Sequence, residues 1–128
     1  MKTKKMKKAI DNALYKVNCV LAEEYGRDDF QDITFEIDPY GGIYSNRSNR
    51  SIHFGLLTFS QIVEETTYKA DYDEVILLAK FVIMHEYLHI IHSGYSEDEI
   101  NKLAIKHLKR NGLASKEEAR FLKDVFCQ

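Results

Sequence analysis

One stretch of the chain has residue types and spacing that could do chemistry: Met84–His89, M-H-E-Y-L-H. On an α-helix, His85 and His89 lie one turn apart, offset by about 40° around the axis and about 6 Å along it. Two imidazoles so placed converge on one Zn²⁺ from a single face. Glu86, one step round, comes to lie beside the metal rather than on it, where a general base for the attacking water belongs. A lone histidine on an apolar helix face is more often a satisfied core residue, so the surroundings decide. Here the motif closes the run V-I-L-L-A-K-F-V-I-M, residues 75–84. That run is apolar almost all round, as in a central buried helix, which we place from about Tyr72 to His92. Burying two histidines and a glutamate there without partners is costly, and a metal removes the cost.

Catalytic zinc usually takes three protein ligands and keeps one position for water. His92, Glu97, Asp98 and Glu99 follow within reach. Ser96 and Glu99 form an S-x-x-E capping box that opens the next helix, so Glu99 is already employed. With Glu97 set at 0° on that helix, Asn101 falls near about 40°, Ala104 near about −20° and Leu108 near about 20°. Glu97 therefore centres the apolar stripe and points inward, where an acid needs a partner; it is the favoured third ligand. Asp98 is sideways and short. His92 shares a face with His85 but lies about 10 Å along the axis from it. A kink at Ser93-Gly94 would bring it closer; otherwise His92 is a helix C-terminal histidine interacting with the dipole. Asn101, one turn behind Glu97, is placed to hydrogen-bond a ligand from behind.

The elements that position these residues follow from periodicity. Met6, Ile10, Ala13, Leu14, Val17, Val20 and Leu21 recur at helical spacing, giving an amphipathic helix from about residue 4 to 25 that Gly26 ends. Ile33–Ile37 alternates as a half-exposed strand; Asp38–Gly42 is a turn. Ile43–Tyr44 begins a second strand, Ser45–Arg50 is polar turn material, and Ser51–Gly55 is a third strand. A short helix around Ser60–Thr66 and a loop with Tyr68 and Tyr72 lead to the central helix, capped by Asp71 with Glu74. The helix begun at Ser96 runs to about Asn111, stopped by Gly112. Ser115 with Glu118 caps a last helix into Phe126. The expected fold is a single α+β domain over residues 1–128, a small three-stranded antiparallel sheet in meander order packed on helices.

Composition excludes several classes. A chain of 128 residues with a formal net charge of −2 suits one globular domain and no polyanion specialist. Cys19 and Cys127 make neither a disulfide framework nor a C-x-x-C pair, so a reducing compartment is expected. The basic start M-K-T-K-K-M-K-K lacks the apolar core of a signal peptide, since Asp11 and Asn12 interrupt it. Residues 75–84 cover about half a bilayer and contain Lys80. We expect a soluble cytoplasmic protein. The Lys2–Lys8 cluster more often marks a solvated helix end than a nucleic-acid contact.

His85-Glu86-x-x-His89 followed by Glu97 and Asn101 resembles the gluzincin metallopeptidases. Small size and element order look most like the minigluzincins, including the selecase type. Residues 97–104, E-x-x-I-N-x-L-A, are also similar to the E-x-x-A-N-x-F-A pattern of ImmA/IrrE-type metallopeptidases. The resemblance spans roughly Gly42 to Leu108, with a shorter spacer before Glu97 than in larger gluzincins. The metzincin pattern fails, because His92 stands at its glycine and Tyr95 at its third histidine. The resemblance implies zinc-dependent peptide-bond hydrolysis on a zincin-like fold, acting in a shallow cleft on peptides or unfolded segments. It also implies autoinhibition by a terminal segment or by self-association, and a sheet edge, here Ser51–Gly55, offered to substrate. Tyr95, between the ligands, is a candidate oxyanion donor, against the plainer reading of a tyrosine packed over its loop. His107 reads as a core residue, His53 is as readily structural as functional, and Cys127 reads as an incidental thiol rather than a zinc cap. A zinc-binding regulatory module without turnover is the alternative.

Overall fold

The computed structural model describes residues 3–67 and 71–127. Tyr68 and Lys2, named above, lie outside them. Among the described residues there are five α-helices and three strands: α1 (Thr3–Glu24), β1 (Thr34–Asp38), β2 (Ile43–Asn46), β3 (Ser51–Gly55), α2 (Leu56–Thr66), α3 (Tyr72–Ile91), α4 (Glu97–Arg110) and α5 (Lys116–Phe126). The α+β class and the sheet-on-helices arrangement are as the periodicity predicts.

The helix at the centre is α3. From Val75 to Leu88 almost every side chain is buried, which is why its sequence shows no polar face. Its N-terminus is set by Asp71, whose carboxylate accepts the Glu74 backbone N–H at 2.9 Å. The seven predicted apolar residues of α1 line the face packed against α3, with Leu14 at its edge. The charge within the run, Lys80, is satisfied in the core: its ammonium donates to the Leu113 carbonyl at 2.6 Å. No helix of the described residues is long and apolar enough to cross a membrane. Helix α2 starts at Leu56, ahead of the predicted Ser60, because Leu56, Phe59 and Val63 already form its buried stripe.

The sheet corrects the meander. Its order is β1-β3-β2, with β1 parallel and β2 antiparallel to β3. The expected all-antiparallel sheet is therefore mixed, and Ser51–Gly55, named above as a strand that could offer an edge to substrate, is the central strand. The physical reason lies in Pro39–Gly42. To place β2 beyond β3 the chain must cross two strand spacings, ~10 Å, and four residues reach ~13 Å. They cross over the end of β3 in contact with Gly55, whose N–H donates to the Gly42 carbonyl at 3.1 Å. A Cβ on Gly55 would sit 2.0 Å from the Gly41 carbonyl oxygen, and Gly41 itself has φ +85°. His53 ties the crossing down: Nδ1 pairs with the Gly42 carbonyl at 2.8 Å and Nε2 with Asp38 at 3.2 Å. Of the two readings left open for His53, these bonds favour the structural one.

Candidate metal centre

Three side chains from two helices meet in the structure. His89 Nε2 lies 3.0 Å from His85 Nε2 and 2.6 Å from Glu97 Oε1, while His85 Nε2 lies 3.1 Å from Glu97 Oε2. The histidines come from one face of α3, as their spacing requires. Glu97 is the first residue of α4, fixed there by the Ser96–Glu99 capping box, both bonds of which form. In one respect the expectation is corrected. The inward stripe of α4 is buried at Ile100, Ala104 and Leu108, but Glu97 projects past its end and its side chain is 71% exposed. Only the carboxylate reaches back to the imidazoles.

Two imidazole nitrogens and a carboxylate oxygen are a zinc donor set. Around zinc at ~2.05 Å, tetrahedral donors stand ~3.3 Å apart. The observed separations of 3.0, 3.1 and 2.6 Å are shorter by about 0.2 to 0.7 Å, so an outward movement, largest between His89 and Glu97, suits the three residues to the ion. Behind them, Asn101 Oδ1 accepts from His85 Nδ1 at 2.7 Å, and Asn101 Nδ2 donates to the Phe126 carbonyl at 3.1 Å. The first bond leaves Nε2 as the metal-facing nitrogen; the second fixes which way the amide points. Burial lowers the His85 pKa, with Glu97 acting against it, which favours the neutral imidazole that a metal requires.

Glu86 is 8% exposed, and its carboxylate stands 3.8 Å from His85 Nε2. Burial pushes its pKa up to about 7, with the Ser45 hydroxyl opposing and the Glu97 charge adding to the rise. A divalent cation among the neighbouring donors would pull it back down. These groups line a cleft of about 700 Å³ whose other wall is β2, Ser45 included, with Arg47. Since β2 is an edge strand, its outer backbone groups face away from β3.

Other candidates are placed elsewhere. The Tyr95 ring stacks on His92 at 4.6 Å and does not line the cleft. His92 Nε2 donates to the Tyr25 hydroxyl oxygen at 2.9 Å rather than joining the three donors. Tyr25 in turn donates to His107 Nε2 at 2.5 Å, and His107 Nδ1 to the Glu24 carboxylate at 3.0 Å. This chain joins the ends of α1 and α3 to the last turns of α4, and burial raises the Tyr25 pKa to about 12. Asp98 pairs with Lys102 at 2.8 Å. Cys127 caps α5 outside the donor group, and both cysteines are free thiols. Sequence reasoning missed Ser45 and Arg47, which it took for turn material. Extending the period-2 alternation of β2 from Ile43 would have carried it to residues 45 and 47 on the same face.

No protein family, curated protein or solved structure matches this chain. The resemblance to gluzincins thus stands on the motif residues themselves.

Proposed function

We propose that the protein is a zinc-dependent metallopeptidase that hydrolyses peptide bonds in peptides or unfolded segments. The observation that carries this is the meeting of His85, His89 and Glu97 beside a buried Glu86, on the floor of a cleft bounded by a strand edge. His85, His89 and Glu97 would hold the ion, with Asn101 keeping His85 oriented. When bound, zinc supplies a Lewis acid that polarises the scissile carbonyl and eases ionisation of water. Glu86 accepts the proton of the attacking water and returns it to the leaving amine. Its burial keeps competing solvent from that transfer. The free edge of β2 suits an extended substrate laid along it by backbone hydrogen bonds.

Metal analysis of the purified protein, with a peptide-library digest, tests the reading. Wild type should carry zinc and cleave; Glu86→Ala should keep zinc and lose cleavage; His85→Ala should lose both. The engagement of Tyr95 with His92 favours one second reading, a zinc-stabilised regulatory module without turnover, because it takes the expected oxyanion donor away from the cleft. That reading requires bound zinc, no hydrolysis of any peptide, and a Glu86→Gln variant that behaves as wild type in its cellular role. Nucleic-acid binding through the lysines of α1 would show as salt-sensitive affinity lost with those lysines. We place the protein in a reducing, cytoplasmic setting, consistent with its free thiols.

A further inference from the structure

Among the described residues, Arg47 is the one Lys or Arg side chain that lines the cleft, and its position is not explained by the three donors or by Glu86. It follows β2 directly and is exposed, yet it is not loose. Its Nε donates to the main-chain carbonyl of His89 at 2.8 Å. That carbonyl belongs to the last turn of α3, where helix carbonyls lack intrahelical donors, so the bond both caps the helix and fixes the guanidinium. Only one of the five guanidinium N–H groups is used in this way. Both Nη atoms remain, and among the described residues no carboxylate forms an ion pair with them. The cleft's own acids are occupied or withdrawn: Glu97 faces the two imidazoles, and Glu86 is buried beside His85. A planar, pre-oriented guanidinium with its outer fork free is the arrangement that takes a carboxylate through two parallel hydrogen bonds. Because its anchor is the carbonyl of His89 itself, a carboxylate held there lies next to the donor group and not at a remote subsite.

We propose that Arg47 binds a carboxylate of the substrate, so that the cleft selects peptides bearing a free carboxylate close to the bond that is cleaved. This rests on the peptidase reading above and narrows its substrate class. The carboxylate is either the C-terminus of the peptide, which makes the activity that of a carboxypeptidase, or an Asp or Glu side chain, which makes an acid-selective endopeptidase.

The test uses the full chain loaded with zinc and N-acetylated peptides in matched sets: free acid against C-terminal amide, and Glu against Gln at each internal position. Binding is measured by competition, separately from turnover, for wild type, Arg47→Gln and Arg47→Lys, with zinc content and melting temperature as controls. Wild type should prefer the carboxylate-bearing member. Arg47→Gln should bind that member roughly 10- to 100-fold more weakly, the range for loss of hydrogen bonds to a charged group, leave the neutral member unchanged, and retain zinc. Arg47→Lys should recover part of the preference. A preference lost on amidation identifies the C-terminus, and one tied to an internal Glu identifies the side chain. Equal binding of charged and neutral peptides by wild type overturns the proposal. So does an Arg47→Gln variant that weakens both members alike. Arg47-dependent carboxylate binding without hydrolysis of any peptide would leave the site standing and remove the peptidase reading; hydrolysis indifferent to carboxylates would do the reverse.

Discussion

Asn101 links the end of α5 to a proposed metal ligand, and replacing it should separate metal affinity from stability. Its amide oxygen receives the His85 Nδ1 proton at 2.7 Å and its amide nitrogen donates to the Phe126 carbonyl at 3.1 Å. In Asn101→Ala both bonds go. Loss of a partner that orients a ligating histidine weakens metal binding about 10- to 100-fold, or about 1.4–2.7 kcal/mol. Two lost hydrogen bonds of about 1 kcal/mol each lower the stability of the metal-free protein by about 2 kcal/mol, roughly 8 °C in Tm for this length. Asn101→Asp separates the terms. It keeps an acceptor for His85 Nδ1 but turns a carboxylate toward the Phe126 carbonyl, so zinc affinity should stay close to wild type while Tm falls at least as far. Zinc affinity is read by competition with a chromophoric chelator, and Tm on protein stripped of metal. Zinc binding by Asn101→Ala within about twofold of wild type would refute the claim that the amide orients His85. The same holds if Asn101→Asp loses as much affinity as Asn101→Ala.

Three further outcomes follow from the same structure. Gly55→Ala should destabilise the fold by roughly 3 kcal/mol or more, since its Cβ would meet backbone atoms of Gly41 at 2.0 and 2.6 Å; a urea midpoint that barely moves would contradict the close crossing. Burial lowers the His107 pKa, with Glu24 opposing, so the unfolded chain takes up the proton first as pH falls. The contribution of His107 is then present above about pH 6.5 and declines as pH drops below it. His107→Gln should therefore flatten the loss of stability between pH 7 and 5, measured by denaturation of metal-free protein, and an unchanged slope would exclude a buried neutral imidazole. Glu97→Gln should weaken zinc binding far more than Asp98→Asn, because only Glu97 faces both imidazoles whereas Asp98 is paired with Lys102.

What could be read from the sequence was what depends on residues within a turn of one another. The Asp71 cap and the Ser96–Glu99 and Ser115–Glu118 boxes all form where the side chains predict them, because each closes a loop of three residues and needs nothing from the rest of the chain. The same locality put His85 and His89 on one face and Asn101 behind them. Glu97 shows the limit. Its angle about the helix axis was right, but exposure depends on where the partner helix ends, and no periodicity carries that.

Strand order failed for a related reason. Four residues between two strands suggest a hairpin unless something non-local forbids it, and here the deciding fact is a glycine at the end of another strand. Because Gly55 has no side chain, Pro39–Gly42 can pass over β3 and deliver β2 to the side facing α3. A hairpin of β1 with β2 would have left β3 or β1 against the motif helix, and Ser45 and Arg47 would not face His85 and Glu86. The cleft wall is thus a product of the crossing. A methyl group at residue 55 is expected to act on the site as well as on the fold, at a position whose backbone N–H bonds Gly42 rather than any cleft residue.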